Sequence, residues 1–493
     1  MLELYREVSH LAMAAGLLDW DQQCYMPPGG AALRAEQLAT LAKLAHERLT
    51  SPEMGQLLDE LEPWAASLDP DSFEASVVRV ARREYDRATR IPAELEAEFS
   101  RAASAGFAAW AEARQAGDFR IFAPKLERLV QLTIERAEAL GYEERRYDAL
   151  LNLFEPGSRT SQVQALFQQL KEGLVPLVHA VAERVDRVKN DFLFGGYDER
   201  KQWDFGVRLL KAIGFDFQRG RQDRSEHPFT VGFGSGDVRL TTRFQPYLGS
   251  ALFGTLHEGG HGLYEQGIPP EFAGTPVGSA ASFGVHESQS RLWENLVGRS
   301  RAFWRHFYPE LQALFPERLG EVDLDTFYAA INRVEPSLIR VEADELTYNL
   351  HIFLRFDLEL KLIEGDLKVA DLPEAWRAGM RELLGRAPEN DRDGVMQDVH
   401  WSQGAFGYFP SYTLGNVLSV QLFEKAKEER PDIPQEIERG EFAGLLGWMR
   451  ERIHRHGGKF TGTELIVRAT GREADAAPYL RYLREKYEEI YGL

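Results

Sequence analysis

The chain has a single cysteine in 493 residues, Cys24, so no internal disulfide can form, which fits a reducing compartment. It lacks any apolar run near the roughly 18 uncharged residues that a membrane span needs. The longest such run near the start, residues 11–18, has Glu7 before it and Asp19 after it, so no membrane association is expected. A basic, then apolar, then small-residue signal pattern is missing too. Glu3, Arg6 and Glu7 stand where it would begin, and a cytoplasmic protein is the expectation. Positive charge is in deficit: Lys plus Arg total 58 against 77 Asp plus Glu, a formal net charge of −19. That charge disfavours nucleic acid and anionic membranes and leaves neutral or cationic partners. Fixed-period repeats, low-complexity tracts and long Gly/Ser/Pro linkers are also absent. Nothing marks a domain boundary, and one domain across residues 1–493 is expected.

What the chain does have is a globular composition, 44% apolar, 27% charged and 11% aromatic. Apolar positions recur at three and four residues through segments rich in Ala, Leu, Glu and Arg, the period of helices with one buried face. Leu38, Leu41, Ala45 and Leu49 form one stripe. Leu126, Leu129, Val130, Ile134 and Ala137 form another, entered by Pro124 near its first turn and stopped by Gly141. Pro92 marks a further helix start. The exception is a pair of β-favouring runs, 229–233 and 238–243, around Gly234, Ser235 and Gly236, which predicts a β-hairpin. Asp237, Arg239 and Thr241 fall at period two on its second strand and share a face, either a solvated outer face or a functional one. The fold class is all-α, mainly helical, with a very small β-hairpin or sheet.

Residues His257, Glu258, Gly259, Gly260 and His261 spell HExxH inside the apolar-periodic stretch 248–263. On a helix, positions i and i+4 point the same way, so both imidazoles reach one ion while Glu258 sits about 100° around, beside the open coordination position. That suits zinc hydrolysis. The competing reading is a buried histidine pair making ordinary hydrogen bonds. Gly259 and Gly260 argue against it, because each costs up to about 1 kcal/mol relative to alanine within a helix. A neighbouring backbone, a metal-bound ligand or a packed helix must come close there. Catalytic zinc keeps three protein ligands, so a third is expected downstream. Glu287, in His286-Glu287-Ser288-Gln289-Ser290-Arg291, is the first candidate, and the 25 residues separating it from His261 leave room for a loop and a return helix. Glu294 is the alternative. Glu265, four residues after His261, has the helical phase but too little freedom to swing onto the metal.

Read with other blocks, these residues resemble the carboxypeptidase Taq family of metallocarboxypeptidases. The blocks are Leu17-Leu18-Asp19-Trp20-Asp21-Gln22 with Met26-Pro27-Pro28-Gly29-Gly30, then His227-Pro228-Phe229, then Asp237, Arg239 and Thr241. HEGGH, His286 to Gln289, Ile339-Arg340 with Ala343-Asp344, and Gly394, Gln397-Asp398 with His400-Trp401 complete them. The resemblance implies an all-helical catalytic domain, two lobes flanking a deep groove, with a very small sheet beside the HExxH helix. That architecture is similar to neurolysin and angiotensin-converting enzyme. It also implies removal of single residues from peptides with a free C-terminus, one zinc ion per chain with cobalt able to serve, and a homodimer. Carried over by motif, His257, His261 and Glu287 bind the metal and Glu258 is the general base.

Glu258 would take the water's proton and return it to the leaving amine. Donors for the oxyanion are sought in residues 397–412, where His400, Tyr408 and Tyr412 stand among glycines as in the His/Tyr-bearing segment of the oligopeptidases. The plainer alternative is that these aromatics are core. Exopeptidase action needs a cation that reads the free carboxylate, and Arg239 and Arg340 lie in family motifs. An intrahelical Arg340–Asp344 pair competes with that role, although acid after base is the less favourable order. Asp237 and His227 are placed with Arg239 at one end of the groove, where an extended peptide could add to the hairpin edge. The expected function is a metal-dependent carboxypeptidase of broad specificity. Its rivals are an oligopeptidase or dipeptidyl carboxypeptidase cleaving internal bonds, and a non-catalytic peptide-binding protein that would have no need of Glu258.

Overall fold

A computed structural model describes residues 1–493. The three- and four-residue periodicity becomes helix along most of the chain, and no helix is long and apolar enough to cross a membrane. The stripe through Leu126 lies on the Phe119–Leu140 helix, where Leu126, Leu129, Val130 and Ala137 are buried. Its entry differs from the expected one. Asp118 is the N-cap, its carboxylate accepting from the Arg120 amide at 3.0 Å, and Pro124 sits inside the helix. The side-chain cap, further toward the N-terminus, satisfies one of the free end donors of the helix. Gly141 ends the helix with φ +78° and Pro92 caps the Ala93–Ala116 helix, both as expected. The Leu38, Leu41, Ala45, Leu49 stripe lies on the Ala31–Leu49 helix, half-buried, and that helix packs on Leu2–Cys24.

The chain forms two compact units, each assembled from three separate stretches. Met1–Thr89, Asn190–Ile331 and Leu418–Glu473 make the first; Arg90–Lys189, Asn332–Val417 and Ala474–Leu493 make the second. The second unit is helical. Phe99, Leu129 and Leu132 form one of its apolar clusters, and its Tyr348–Glu364 helix is buried nearly all round, with Arg355 and Glu359 inside.

The first unit carries a sheet of three strands, β1 Gly220–Arg224, β2 Thr230–Gly232 and β3 Val238–Thr242, in the order β1-β3-β2. β2 and β3 are the expected antiparallel hairpin, with Val231 opposite Arg239, and Gly234 at φ +89° makes the turn. β1 runs parallel to β3, with Gln222 opposite Leu240. Its sequence, GRQDR, has no apolar alternation, so the pattern could not announce it. The face shared by Asp237, Arg239 and Thr241 is solvated only at its Asp237 end. The Arg239 guanidinium lies 4.3 Å from the Trp20 ring centroid, and Trp20 is the buried residue of the Leu2–Cys24 helix. Thr241 is fully buried, its hydroxyl accepting from the Phe229 amide at 2.8 Å and lying 2.7 Å from the Ser225 hydroxyl.

HExxH lies on the Leu248–Gly267 helix, which packs against the Glu199–Ile213 helix, β3 and the Phe283–Arg291 helix. The last of these starts at Ser282, whose hydroxyl accepts from the Val285 amide at 3.1 Å. The glycines now have a reason. A β-carbon on Gly260 would stand 2.5 Å from the Gln289 carbonyl oxygen and 2.7 Å from Ser290 Cα, so a helix backbone occupies that space. On Gly259 it would meet only the tips of Leu210, at 2.6 Å, and Ile213, at 3.2 Å. Backbone cannot yield as a side-chain tip can. Gly260→Ala is expected to destabilise the protein by about 1–3 kcal/mol through overpacking. Gly259→Ala should cost less, because the alanine's helix propensity offsets part of the crowding. Urea unfolding of the two variants checks the order.

Candidate metal centre

Two helices bring three ligand-type groups together. His257 Nε2 and His261 Nε2 lie 3.7 and 3.4 Å from Glu287 Oε2, and the ligand atoms of the three residues all fall within 4.8 Å of one another. The other nitrogen of each ring is engaged. His257 Nδ1 is 2.9 Å from Glu294 Oε2, and His261 Nδ1 is 2.5 Å from His286 Nδ1. With Nδ1 occupied, each imidazole presents Nε2 to the common space, and a two-nitrogen, one-carboxylate set fits a zinc-type ion with a position left open. Glu294 therefore serves as the partner that holds His257, on the π-helical turn Leu292–Val297 that continues the Glu287 helix. Glu265 accepts from His286 Nε2 at 2.8 Å.

The electrostatics follow from burial and two arginines. Burial works against ionised Glu287, yet Arg291, whose Nε donates to Glu287 Oε1 at 2.7 Å, and the two histidines hold its carboxyl well below the ordinary range. Burial opposes Glu294 likewise, and Arg291, His257 and Arg299 bring it down to about 2. His261 is pushed down to about 3, chiefly by burial, so its ring is neutral and able to ligate. Burial also disfavours charge on His257, but Glu287 and Glu294 outweigh it and raise its pKa, a negative field that a cation would relieve. Glu258 is buried and its pKa is raised by that burial. The Thr230 hydroxyl, at the start of β2, donates to Glu258 Oε2 at 2.7 Å and so ties the sheet to this carboxylate.

Three other residues singled out from the sequence lie in the same unit. Arg239 forms a two-point ion pair with Asp237, Nε to Oδ1 at 3.0 Å and the terminal nitrogen to Oδ2 at 2.9 Å. His227 is exposed in the turn after β1, where the Ser225 hydroxyl donates to its carbonyl oxygen at 2.7 Å.

The remaining candidates lie in the second unit. Arg340 is on a short 3-10 turn, Arg340–Glu342, so the intrahelical pair with Asp344 does not form. Asp344 instead holds the turn that precedes the Tyr348–Glu364 helix, accepting from the Thr347 amide at 2.9 Å and its hydroxyl at 2.7 Å. The partner of Arg340 is Asp398, with Nε to Oδ1 at 2.9 Å, and Arg355 Nε reaches Asp398 Oδ2 at 2.6 Å. Although burial opposes it, the two guanidiniums hold the Asp398 carboxyl far below the usual range. His400, Tyr408 and Tyr412 form one aromatic cluster, with His400 5.4 Å from Tyr408 and Tyr408 5.2 Å from Tyr412 between ring centroids. Burial pushes His400 down to about 4, and its Nδ1 has no hydrogen-bond partner.

Glu359 escaped the sequence reading. It is one glutamate among many on the Tyr348–Glu364 helix, with no motif around it. Its fully buried carboxylate accepts from the Tyr147 hydroxyl at 2.6 Å, the Trp401 indole at 2.7 Å and the Gly407 amide at 3.0 Å, and so fastens the segment joining His400 to Tyr408. Burial raises this carboxyl to about 7 against the pull of those three donors.

A helical fold in which one helix offers HExxH and the next a glutamate is that of a metal-dependent peptide hydrolase. The sequence profile of the carboxypeptidase Taq (M32) metallopeptidase family matches residues 1–487, and the chain belongs to that family. It is therefore a metallocarboxypeptidase. It is 47% identical to thermostable carboxypeptidase 1 of Thermus thermophilus over 503 residues, covering 100% of this chain and 98% of that protein. The crystal structure of the M32 carboxypeptidase from Deinococcus radiodurans R1 superposes with a TM-score of 0.96 at 44% identity, over 100% of this chain and 99% of that one. Metallocarboxypeptidase 1 of Trypanosoma cruzi gives 0.94 at 31% identity, over 99% and 98%.

Asp398 supplies a test of the buried charges. Its folded pKa lies below the unfolded value of about 3.9, so its stabilisation is complete above that value and is lost as pH falls through the depressed folded pKa. Asp398→Asn, which leaves two buried guanidiniums without their anion, is expected to cost about 3–5 kcal/mol. That deficit should stay constant from pH 8 to pH 5 and narrow only below about pH 4, as followed by urea unfolding of both proteins across the series.

Proposed function

We propose that the chain removes single residues from the C-termini of peptides, with broad specificity, at a centre built from His257, His261, Glu287 and Glu258. The observation that carries this is the convergence of His257 Nε2, His261 Nε2 and Glu287 Oε2 with Glu258 on the same helix. A metal held there would supply Lewis-acid polarisation of the scissile carbonyl and activation of a water. Glu258 accepts the proton from that water and passes it to the leaving amine nitrogen as the C–N bond breaks. The raised pKa that burial gives Glu258 suits a group that must take a proton and then return it. Arg340 and Arg239 are the proposed readers of the substrate carboxylate, with Asp237 paired to Arg239 and His227 in the turn after β1. His400, Tyr408 and Tyr412 are the proposed donors to the developing oxyanion. Family motifs support Arg239, Arg340, Asp237, His227 and His400, the likeness of residues 397–412 to the His/Tyr-bearing segment of the oligopeptidases supports Tyr408 and Tyr412, and His400 adds a buried Nδ1 without a partner.

The resemblance also supports zinc as the ion, one per chain with cobalt able to serve, and a homodimer. The single cysteine agrees with a cytoplasmic setting. Mass spectrometry of products from a mixture of unblocked peptides, with zinc- or cobalt-loaded protein, should show stepwise loss of single C-terminal residues. C-terminal amides of the same peptides should resist; cleavage of an amide at an internal bond would mark an oligopeptidase instead. Glu258→Gln should lower kcat by about 100-fold or more while binding metal as the parent does.

A further inference from the structure

Behind the two metal-binding histidines the supports are unequal. His257 is held directly by a carboxylate, Glu294, with Nδ1 to Oε2 at 2.9 Å. His261 faces another imidazole, with Nδ1 2.5 Å from His286 Nδ1, and the far nitrogen of His286 is 2.8 Å from Glu265 Oε1. The proton positions in this chain of groups follow from the chemistry. If His261 Nε2 carries a lone pair for the metal, its proton is on Nδ1 and must be donated. Two N–H groups cannot face each other across 2.5 Å, so His286 Nδ1 is the acceptor and its proton sits on Nε2, donated to Glu265.

The surroundings are built for this arrangement. Glu265 follows His261 by one further helical turn, so its side chain rises on the same face of the Leu248–Gly267 helix. β2 makes room for it: a β-carbon on Gly232 would stand 2.6 Å from Glu265 Oε2. His286 lies between rings, 4.6 Å from His261 and 5.2 Å from Tyr264 by centroid, and Tyr264 is fully buried. We propose that His286 and Glu265 are positioning residues for metal binding, a two-step relay in which Glu265 fixes the His286 tautomer and His286 orients His261. The inference rests on reading His261 as a metal ligand. The relay orients His261 while keeping a second carboxylate one ring away, so that the negative charge next to the ion comes from the Glu287 and Glu294 side.

The test is competition between the metal-free protein and a chromogenic chelator for Zn2+, with the visible absorption of the Co2+ form as a spectroscopic reading of ligand geometry. His286→Ala should weaken Zn2+ affinity by about tenfold or more and alter the cobalt bands. His286→Gln, whose amide oxygen can accept from His261 while its nitrogen donates to Glu265, should recover most of the loss. Glu265→Ala should weaken affinity too, but in the His286→Ala background it should add nothing, because Glu265 acts only through His286. Parental affinity in His286→Ala, or full additivity of the two alanine changes, would overturn the relay. Glu287→Ala separates this from the parent reading: if that variant keeps parental affinity, the ligand set itself is wrong. Should His286→Ala not fold, Glu265→Ala and His286→Gln carry the decision, the first losing affinity and the second retaining it if the relay exists.

Discussion

The separation between the HExxH helix and the helix that follows it is set by Gly260, where the Gln289 carbonyl and Ser290 Cα occupy the place of a side chain. Most of the centre depends on that approach. Glu287 reaches the space before both imidazoles because its helix lies so close, and the same closeness brings His286 against His261 and Glu294 against His257. One further turn of side chain between the helices would replace three geometrically coupled contacts with none. A glycine that weakens a helix in isolation is here the condition for two helices to share a ligand set.

Both units solve the problem of buried negative charge in the same way. Glu294 is placed against Arg291 and Arg299, with contacts of 3.2 and 3.4 Å. In the other unit Asp398 sits against Arg340 and Arg355, at 2.8 and 2.5 Å. Taking such groups out of water is costly, and their mutual attraction barely repays it, so these clusters add geometric definition more than stability. Each fixes a planar carboxylate by two rigid guanidinium forks, and a side chain that must point one way benefits from that rigidity.

The sequence made the helical class, the hairpin and the HExxH helix legible, because each has a local signature: a 3.6-residue period, strand formers around glycines, and a fixed i, i+4 spacing. The third ligand was legible as Glu287 through its motif, with Glu294 kept as the alternative, since both lie on one helical stretch and only the tertiary approach of that stretch brings Glu287 before both imidazoles. β1 was invisible because GRQDR has no alternation and its pairing with β3 is set by distant packing. Glu359 was invisible for a related reason. Its donors Tyr147, Trp401 and Gly407 are remote from it in sequence, so nothing in its neighbourhood distinguishes it from a solvated glutamate. Arg340 was misplaced on a helix because its i, i+4 spacing to Asp344 mimics a helical pair, whereas Asp344 is occupied by the Leu346 and Thr347 amides of the turn that follows it.

The division of each unit into three stretches bears on how the chain can acquire its structure during synthesis. Residues 1–89 leave the ribosome early, but the unit they belong to is not complete until residues 418–473 follow, and the second unit waits for 474–493. Neither unit can close as an independent module partway through translation, the usual route for multidomain chains. Contacts of such high sequence separation slow folding and leave apolar helix faces uncovered meanwhile, such as that of Thr160–Ala182, which packs on the late Ala476–Tyr491 helix. A nascent chain of this kind keeps apolar surface exposed until residues 474–493 have been made.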